Sequence, residues 1–154
     1  LTRRGLFSHA AAAGMIAGLP GAASASPLQI HVMKDPNCGC CGAWIEILQR
    51  DGFDVSTETS FGTALARYKM DNGIPAKMAS CHTAQIEGYM IEGHVPTADI
   101  RRLLRERPDA VGLSVPGMPY GSPGMGPEDR REAYDVHLIR HDGTTEIFTR
   151  YDAA

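Results

Sequence analysis

Leu28-Gln-Ile-His-Val-Met33 leads, after one lysine, into Asp35-Pro-Asn-Cys38-Gly-Cys40-Cys41-Gly42, and this stretch decides the fold. Its first half alternates apolar and polar side chains, which predicts a β-strand running into the cysteines. Four residues then recur at helical spacing on one face: Cys41, Trp44, Ile45 and Leu48. Asp51-Gly52 is a helix stop. Three of the four cysteines therefore lie between a strand and the first turn of a helix.

This position favours the thiolate form of cysteine. Unpaired backbone N–H groups and the positive end of the helix dipole point at the sulfur atoms there. A thiolate is the form that attacks disulfides and binds metal ions. The cluster is therefore expected to carry either redox or metal chemistry.

The spacing within the cluster favours metal. Cys38 and Cys41 have the C-x-x-C spacing of a dithiol redox pair, but the third thiol of Cys40 invites scrambling of such a pair. Three thiolates suit a soft cation such as Cu(I). Because the adjacent Cys40 and Cys41 cannot easily converge on one ion with Cys38, bridging sulfurs and several Cu(I) ions are expected. A disulfide-bonded loop is the alternative, although a link between neighbouring Cys40 and Cys41 would form a strained ring.

Residues 1–25 are typical of an export signal. Thr2-Arg-Arg-Gly-Leu-Phe7 is positive, Ala10 to Leu19 is apolar, and Ala23-Ser-Ala25 fits a cleavage site. The adjacent arginines resemble a twin-arginine signal, whose cargo crosses the membrane already folded. The apolar run is too short to span a bilayer. We expect cleavage near Ala25, a single domain over residues 26–154, a periplasmic location and no membrane insertion.

Composition supports one domain that does not bind nucleic acid. The chain has 154 residues, of which 43% are hydrophobic, enough for a core of its own. Without Arg3 and Arg4 its 15 basic side chains become 13, against 18 acidic ones, a net charge of about −5. Phosphate binding needs a basic face, so nucleic acid is not an expected partner.

The next segments predict a mixed α/β fold. Phe53, Val55 and Thr57 alternate with polar residues as in a strand. A helix capped by Ser60 should follow, with its apolar stripe on Phe61, Ala64, Leu65 and Tyr68. Strand, helix, strand, helix implies that the first two strands are parallel.

The fourth cysteine opens the second half of this pattern. Residues 79–86 predict a third strand, turned by Glu87-Gly88 into a fourth at residues 89–92, and Thr97 should cap a third helix. The order is βαβαββα. Cys81 then stands at the start of the third strand, beside the loop after the first strand. Sulfur atoms from two distant parts of the chain are therefore expected to meet.

A loop rich in glycine, proline and methionine follows. Residues 110–115 predict a short strand or extended stretch, and Pro116-Gly-Met118-Pro and Pro123-Gly-Met125-Gly then form a small repeat. The thioethers of Met118 and Met125 are soft ligands suited to Cu(I), or else they pack the loop onto the core. Residues 128–133 predict a helical turn, and residues 134–138 and 145–149 a C-terminal β-hairpin.

The histidines differ in their expected roles. His94 stands between a glycine and Val-Pro at a helix start, where it can ligate a metal, orient a cysteine or cap the turn. His82 adjoins Cys81, but neighbours in a strand point to opposite faces. His31, His137 and His141 are expected on the surface or the sheet.

The element order and the Cys38 to Cys41 site resemble the thioredoxin/glutaredoxin superfamily. That resemblance implies a cis-proline at the start of the third strand, where this chain has Ser80-Cys-His82 instead. The departure weakens a disulfide-exchange role and favours a metal.

A narrower resemblance covers nearly all of residues 28–151. Four motifs carry it: Cys38-Gly-Cys-Cys41, Cys81-His-Thr83, Gly93-His-Val-Pro96, and the loop from Val115 to Met125. This set is similar to the CopG family of exported bacterial copper-resistance proteins, formerly a domain of unknown function. The resemblance implies a thioredoxin-like fold, copper bound by the cysteines, and a role in periplasmic copper tolerance. We expect copper ions and other periplasmic copper-handling proteins as partners.

Two further functions stay open. A thiol-disulfide oxidoreductase would use Cys38 as the attacking thiolate and Cys41 as the resolving thiol, with Cys40 or Cys81 as an extra partner. Four cysteines can also form an all-thiolate zinc or iron–sulfur centre, although the paired spacing of such centres is missing. The leading expectation is a protein that holds several Cu(I) ions, with Cu(I)/Cu(II) redox as a further expectation.

Overall fold

A computed structural model describes residues 26–154. Its elements are, in chain order, β1 Leu28–Lys34, α1 Gly39–Arg50, β2 Phe53–Thr59, α2 Gly62–Asp71, β3 His82–Ile86, β4 Tyr89–Glu92, α3 Thr97–Glu106, β5 Gly112–Ser114, β6 Tyr134–Ile139 and β7 Thr145–Tyr151. Short 3-10 helices span Ala76–Met78 and Glu128–Arg130. The predicted order βαβαββα is confirmed, and the fold is α/β. The predicted export signal lies outside the described residues.

All seven strands form one sheet in the order β2-β1-β3-β4-β5-β6-β7. The pair β1/β2 is parallel, as predicted, with Leu28 opposite Phe53. β3 runs antiparallel to β1 and places His82 opposite Lys34, at the end of β1 that leads into the cysteines. The C-terminal hairpin β6/β7 extends the sheet through β5. This register brings the start of β3 beside the loop that follows β1.

The two faces of the sheet carry separate apolar clusters, because side chains alternate along each strand. The larger cluster packs α1 and α3 on the sheet through Trp44, Leu48, Ile100 and Leu103, all fully buried. The predicted buried face of α1, with Cys41, Trp44, Ile45 and Leu48, is confirmed. The smaller cluster lies on the opposite face beside α2 and consists of Ile74, Met78, Met90 and Ile139.

Three local predictions were wrong. Phe61, not Ser60, precedes α2, and the side chain of Phe61 is 66% exposed, so it is not part of a core stripe. Lys69 is buried on that helix instead. Pro96 precedes α3, and the Thr97 hydroxyl donates to Asp51 Oδ2 at 2.5 Å rather than capping its own helix. At Thr97 a tertiary contact takes the hydroxyl that local capping rules assigned to the start of the helix.

The third strand also begins later than predicted, at His82 and not at residue 79. Cys81 therefore lies in a bend before the strand. No peptide bond within residues 26–154 is cis, so the start of β3 lacks the cis-proline that the thioredoxin resemblance implies. Among the helices of the same residues, none is long and apolar enough to cross a membrane.

Candidate metal centre

The loop between β1 and α1 is shaped by Asp35. Its side-chain Oδ1 accepts from the backbone N–H of Asn37 at 2.9 Å, and its carbonyl accepts from that of Cys38 at 3.1 Å. This turn places Cys38 immediately before α1, with Cys40 and Cys41 in the first helical turn. No side chain caps the helix at Cys38. The N-terminal N–H groups of α1 are therefore directed at the cysteine cluster.

The sulfur of Cys81 reaches this cluster from the start of β3. Cys38 Sγ lies 3.5 Å from Cys40 Sγ, which lies 3.8 Å from Cys81 Sγ. The sulfur atoms of Cys38, Cys40, Cys41 and Cys81 all lie within 4.8 Å of one another. Cys41 is fully buried, whereas the other three are partly exposed. The structure thus brings together the sulfur atoms of the four cysteines that the sequence singles out.

Cys38 and Cys41 are joined by a disulfide, while Cys40 and Cys81 are free. The described state therefore has two thiols and one disulfide. A disulfide offers no thiolate, and adding two electrons and two protons to it yields four thiols. The number of sulfur ligands that the site presents depends on this redox state.

His94 faces the same sulfur from the loop after β4. Its Nδ1 lies 2.8 Å from the Pro123 carbonyl and its Nε2 lies 3.1 Å from Cys81 Sγ. Because a carbonyl oxygen only accepts, Nδ1 must carry the proton, and the Nε2 lone pair points at Cys81. A backbone carbonyl that fixes the tautomer in this way is typical of histidine ligands to metals.

His82 is a contact that strand alternation failed to predict. Its Nδ1 lies 3.2 Å from Cys81 Sγ, because Cys81 precedes the strand and does not alternate with His82. The ring is fully buried between Trp44, at 4.4 Å between centroids, and His94, at 5.0 Å. His82 Nε2 has no hydrogen-bond partner within residues 26–154. The signal that could have found it is the Cys-His pair itself.

Burial sets the protonation of this group. It lowers the pKa of His82 to about 3, with nearby His94 as the second cause. Burial also lowers the pKa of His94, while the bond to the Pro123 carbonyl opposes that shift. Burial, followed by the charge of Cys40, raises the pKa of Cys81 to about 12. The imidazole rings of His82 and His94 are therefore uncharged and can offer a nitrogen lone pair to a metal ion. Cys81 stays a thiol until a cation displaces its proton.

The predicted thiolate bias of the cluster accordingly does not extend to Cys81. That residue lies outside the first turn of α1, where the helix dipole acts, and desolvation disfavours its charged form. A soft cation with high affinity for sulfur can offset this cost because a coordinating thiol is deprotonated.

The Gly/Pro/Met loop closes over this region. Gly117 accepts from the Ser80 hydroxyl at 2.5 Å, and its N–H donates to the Ala79 carbonyl at 3.2 Å. Gly124 lies against α1, where an added Cβ would stand 2.7 Å from the backbone nitrogen of Trp44. Met118 is 54% exposed and Met125 is partly buried. Both thioethers therefore lie on a loop tied to the cysteine-bearing segments, and their role as ligands stays a prediction.

Two solved structures match nearly the whole of residues 26–154. The chain is similar to form 1 of copper resistance protein CopG, with 46% identity and a TM-score of 0.77 over 82% of this chain and 99% of that one. Form 2 of the same protein has 47% identity and a TM-score of 0.74, over 81% of this chain and 98% of the other. No curated protein sequence matches the chain.

A family model matches a shorter stretch of the chain. Residues 78–125 match the family described as a protein of unknown function, DUF411. The matched part contains Cys81, His94 and the methionine loop, but not the Cys38 to Cys41 cluster. Identity of 46% over 99% of a solved CopG chain extends the relationship to that cluster. The chain belongs to the CopG family of copper resistance proteins.

Proposed function

We propose that this chain is a periplasmic copper-binding protein that holds Cu(I) in a cysteine-bridged site and serves copper resistance. The observation that carries the proposal is the meeting of four sulfur atoms, from α1 and from the start of β3, within 4.8 Å of one another. Thiolate is the preferred ligand of Cu(I), and the solved relatives are copper resistance proteins.

The proposed ligands are the cysteine sulfurs, His94 and the loop methionines. Cys38, Cys40, Cys41 and Cys81 supply the thiolates, and Nε2 of His94 supplies a neutral nitrogen beside Cys81. Met118 and Met125 supply thioethers from the loop that packs against Ser80 and Trp44. Because Cys40 and Cys41 are adjacent on α1 and cannot easily converge on one ion with Cys38, bridging between several copper ions is favoured over one tetrahedral ion.

Redox change of the bound copper is part of the proposal. Thiolates that share several copper ions delocalise charge, so the site suits cycling between Cu(I) and Cu(II). The twin-arginine-like leader supports export to the periplasm. Other periplasmic copper-handling proteins would then donate copper to this protein or accept copper from it.

An anaerobic titration of the fully reduced protein with Cu(I) tests the proposal. Thiolate-to-copper absorption in the ultraviolet should rise linearly until more than one copper is bound per chain, and metal analysis should give the same ratio. A ratio below one, or copper bound without the thiolate band, would overturn it.

The Cys38–Cys41 disulfide favours a second candidate, a thiol-disulfide oxidoreductase. Cys38 is partly exposed and Cys41 fully buried, which suits an attacking and a resolving thiol. This candidate requires insulin reduction without metal, abolished by C38S and unaffected by C40S. The copper proposal requires C40S to impair copper retention.

A further inference from the structure

A buried ion pair lies behind the segment that carries Cys81. Lys69 Nζ on α2 lies 2.6 Å from Glu92 Oε1 at the end of β4, and it also donates to Thr83 Oγ1 at 2.7 Å. The side chain of Lys69 is 7% exposed and that of Glu92 is fully buried. Thr83 and Glu92 are paired across β3 and β4. The pair therefore joins α2 to the two central strands.

Stability alone does not account for such a pair. Removing two charges from water carries a large desolvation cost, and well-packed apolar residues of similar volume are often as stabilising or more so. A buried pair of this kind is better explained by the geometry it enforces on the groups bonded to it.

The two residues that flank Cys81 and His82 in the sequence are both hydrogen-bonded to Glu92. Glu92 Oε1 accepts from the backbone N–H of Ser80 at 2.6 Å, and Oε2 accepts from the Thr83 hydroxyl at 2.5 Å. One carboxylate thus binds the residue before Cys81 and the residue after His82. Cys81 lies in a bend, outside the ladder of β3, so the sheet itself does not fix its backbone.

The packing around Ser80 also links this segment to the end of β4. Gly93 follows Glu92 at φ 73°, and a Cβ at that position would stand 2.5 Å from Ser80 Oγ. A side chain at residue 93 would push the Ser80 segment away from the end of β4. The Ser80 hydroxyl donates to the Gly117 carbonyl, so the same residue also anchors the methionine loop.

We propose that Glu92, charge-balanced by Lys69, is a positioning residue that holds Cys81 and His82 against the Cys38 to Cys41 cluster through Ser80 and Thr83. This inference rests on the proposed copper-binding function. The hydrogen-bond partners of Glu92 are Lys69, Ser80 and Thr83, so it acts on metal binding through the backbone that carries Cys81.

A matched pair of variants isolates the anchor. K69M/E92Q and K69M/E92M both remove the two charges and are similar in size, but only the glutamine carbonyl can accept the Ser80 N–H. Three quantities should be measured: hydrogen exchange of the Ser80 amide in metal-free protein, Cu(I) affinity by competition with a chelator, and the thiolate-to-copper spectrum. D99N, which alters a buried carboxylate bound by Thr149 and Tyr151, is the control for loss of a buried polar contact.

K69M/E92M should exchange the Ser80 amide faster, shift the copper spectrum and lose about 10- to 100-fold in Cu(I) affinity, the range found when outer partners of metal ligands are removed. K69M/E92Q should keep most of the affinity and the original spectrum, and D99N should change neither. Equal affinity and spectrum in K69M/E92M and the unsubstituted protein would overturn the inference.

If K69M/E92M does not fold, T83V can be used instead. It removes the hydrogen bond from the Thr83 hydroxyl to Glu92 with little change in side-chain shape. A shifted copper spectrum in T83V supports the inference, and an unchanged spectrum and affinity overturn it. Failure of the unsubstituted protein to bind copper would overturn the proposed function, whereas normal copper binding in all variants would overturn only the positioning role.

Discussion

The sulfur of Cys81 lies 3.8 Å from the sulfur of Cys40, although 41 residues separate them along the chain. β3 makes this approach because it pairs antiparallel with β1 and so begins where β1 ends. Cys40 is also the residue that a simple C-x-x-C redox pair does not need. The contact between these two residues therefore distinguishes the two candidate functions.

We predict that C40S and C81S each lower the copper retained by the reduced protein. Serine keeps the shape but removes a soft ligand, so copper per chain should fall and dissociation to a chelator should be faster. The far-ultraviolet circular dichroism of both variants should stay that of the parent. Full copper retention by C40S, together with intact insulin reduction, would favour the oxidoreductase.

Oxidation should reduce the copper capacity. With Cys38 and Cys41 joined, only Cys40 and Cys81 remain as thiols. We expect protein whose disulfide has formed to bind less Cu(I) than reduced protein, and a thiol-free reductant to restore the difference. Thiol titration before each copper titration supplies the control, because capacity should follow the number of free thiols. A capacity independent of that number would contradict the ligand set.

Substitution of Met118 by leucine distinguishes a role as copper ligand from a role in packing. Leucine has nearly the volume of methionine but no sulfur, so M118L should keep the melting temperature and weaken Cu(I) retention if the thioether binds copper. M125L tests the second methionine in the same way. M70L, at a methionine 61% exposed on α2, is the matched control and should change neither quantity. Retention equal to that of the parent in both loop variants would assign these residues to packing.

Much of the fold follows from local sequence pattern. The alternation in residues 28–33 and the helical spacing from Cys41 to Leu48 gave the correct strand and buried helix face. The predicted approach of Cys81 to the cluster followed from the element order, because strand pairing fixes which ends of strands are neighbours.

The errors arose where tertiary contacts overrode local rules. The sequence around Lys69 resembles an ordinary solvated helix surface, and its partner Glu92 lies 23 residues later on a strand, so the buried pair had no local signal. His82 was misjudged because β3 begins at His82 and not at residue 79, which leaves Cys81 outside the strand, where alternation with His82 does not apply. The Cys38–Cys41 disulfide depends on redox state as well as on spacing.

Gly124 should be needed to seat the methionine loop on α1. Its φ is 84°, and an added Cβ would lie 2.7 Å from the Trp44 nitrogen, so G124A should displace the loop and the Pro123 carbonyl that orients His94. We expect a loss of about 1–3 kcal/mol in the free energy of unfolding from the backbone alone, and weaker copper binding besides.

G143A is the matched control for that prediction. Gly143 has a similar φ of 80°, but an added Cβ there would meet nothing within 4 Å. G143A should therefore lower the free energy of unfolding as G124A does, but leave the copper affinity unchanged. Urea unfolding and chelator competition on both variants provide the comparison, and equal copper affinities in the two would argue against a seating role for Gly124.

Tyr151 should make the protein less stable at alkaline pH. Its hydroxyl donates to Asp99 Oδ2 at 2.7 Å, and burial followed by this bond raises its pKa; burial likewise raises the pKa of the stacked Tyr134 to about 12. Unfolded tyrosine loses its proton near pH 10, so above about pH 10 the unfolded chain holds fewer protons than the folded one and stability falls as pH rises.

Y151F should lower stability at neutral pH by about 1 kcal/mol, through loss of the bond to Asp99, and make the alkaline decline shallower. Urea unfolding at a series of pH values, with tyrosinate absorbance followed in parallel, measures both effects. A decline in Y151F as steep as in the parent protein would show that Tyr151 is not the group responsible.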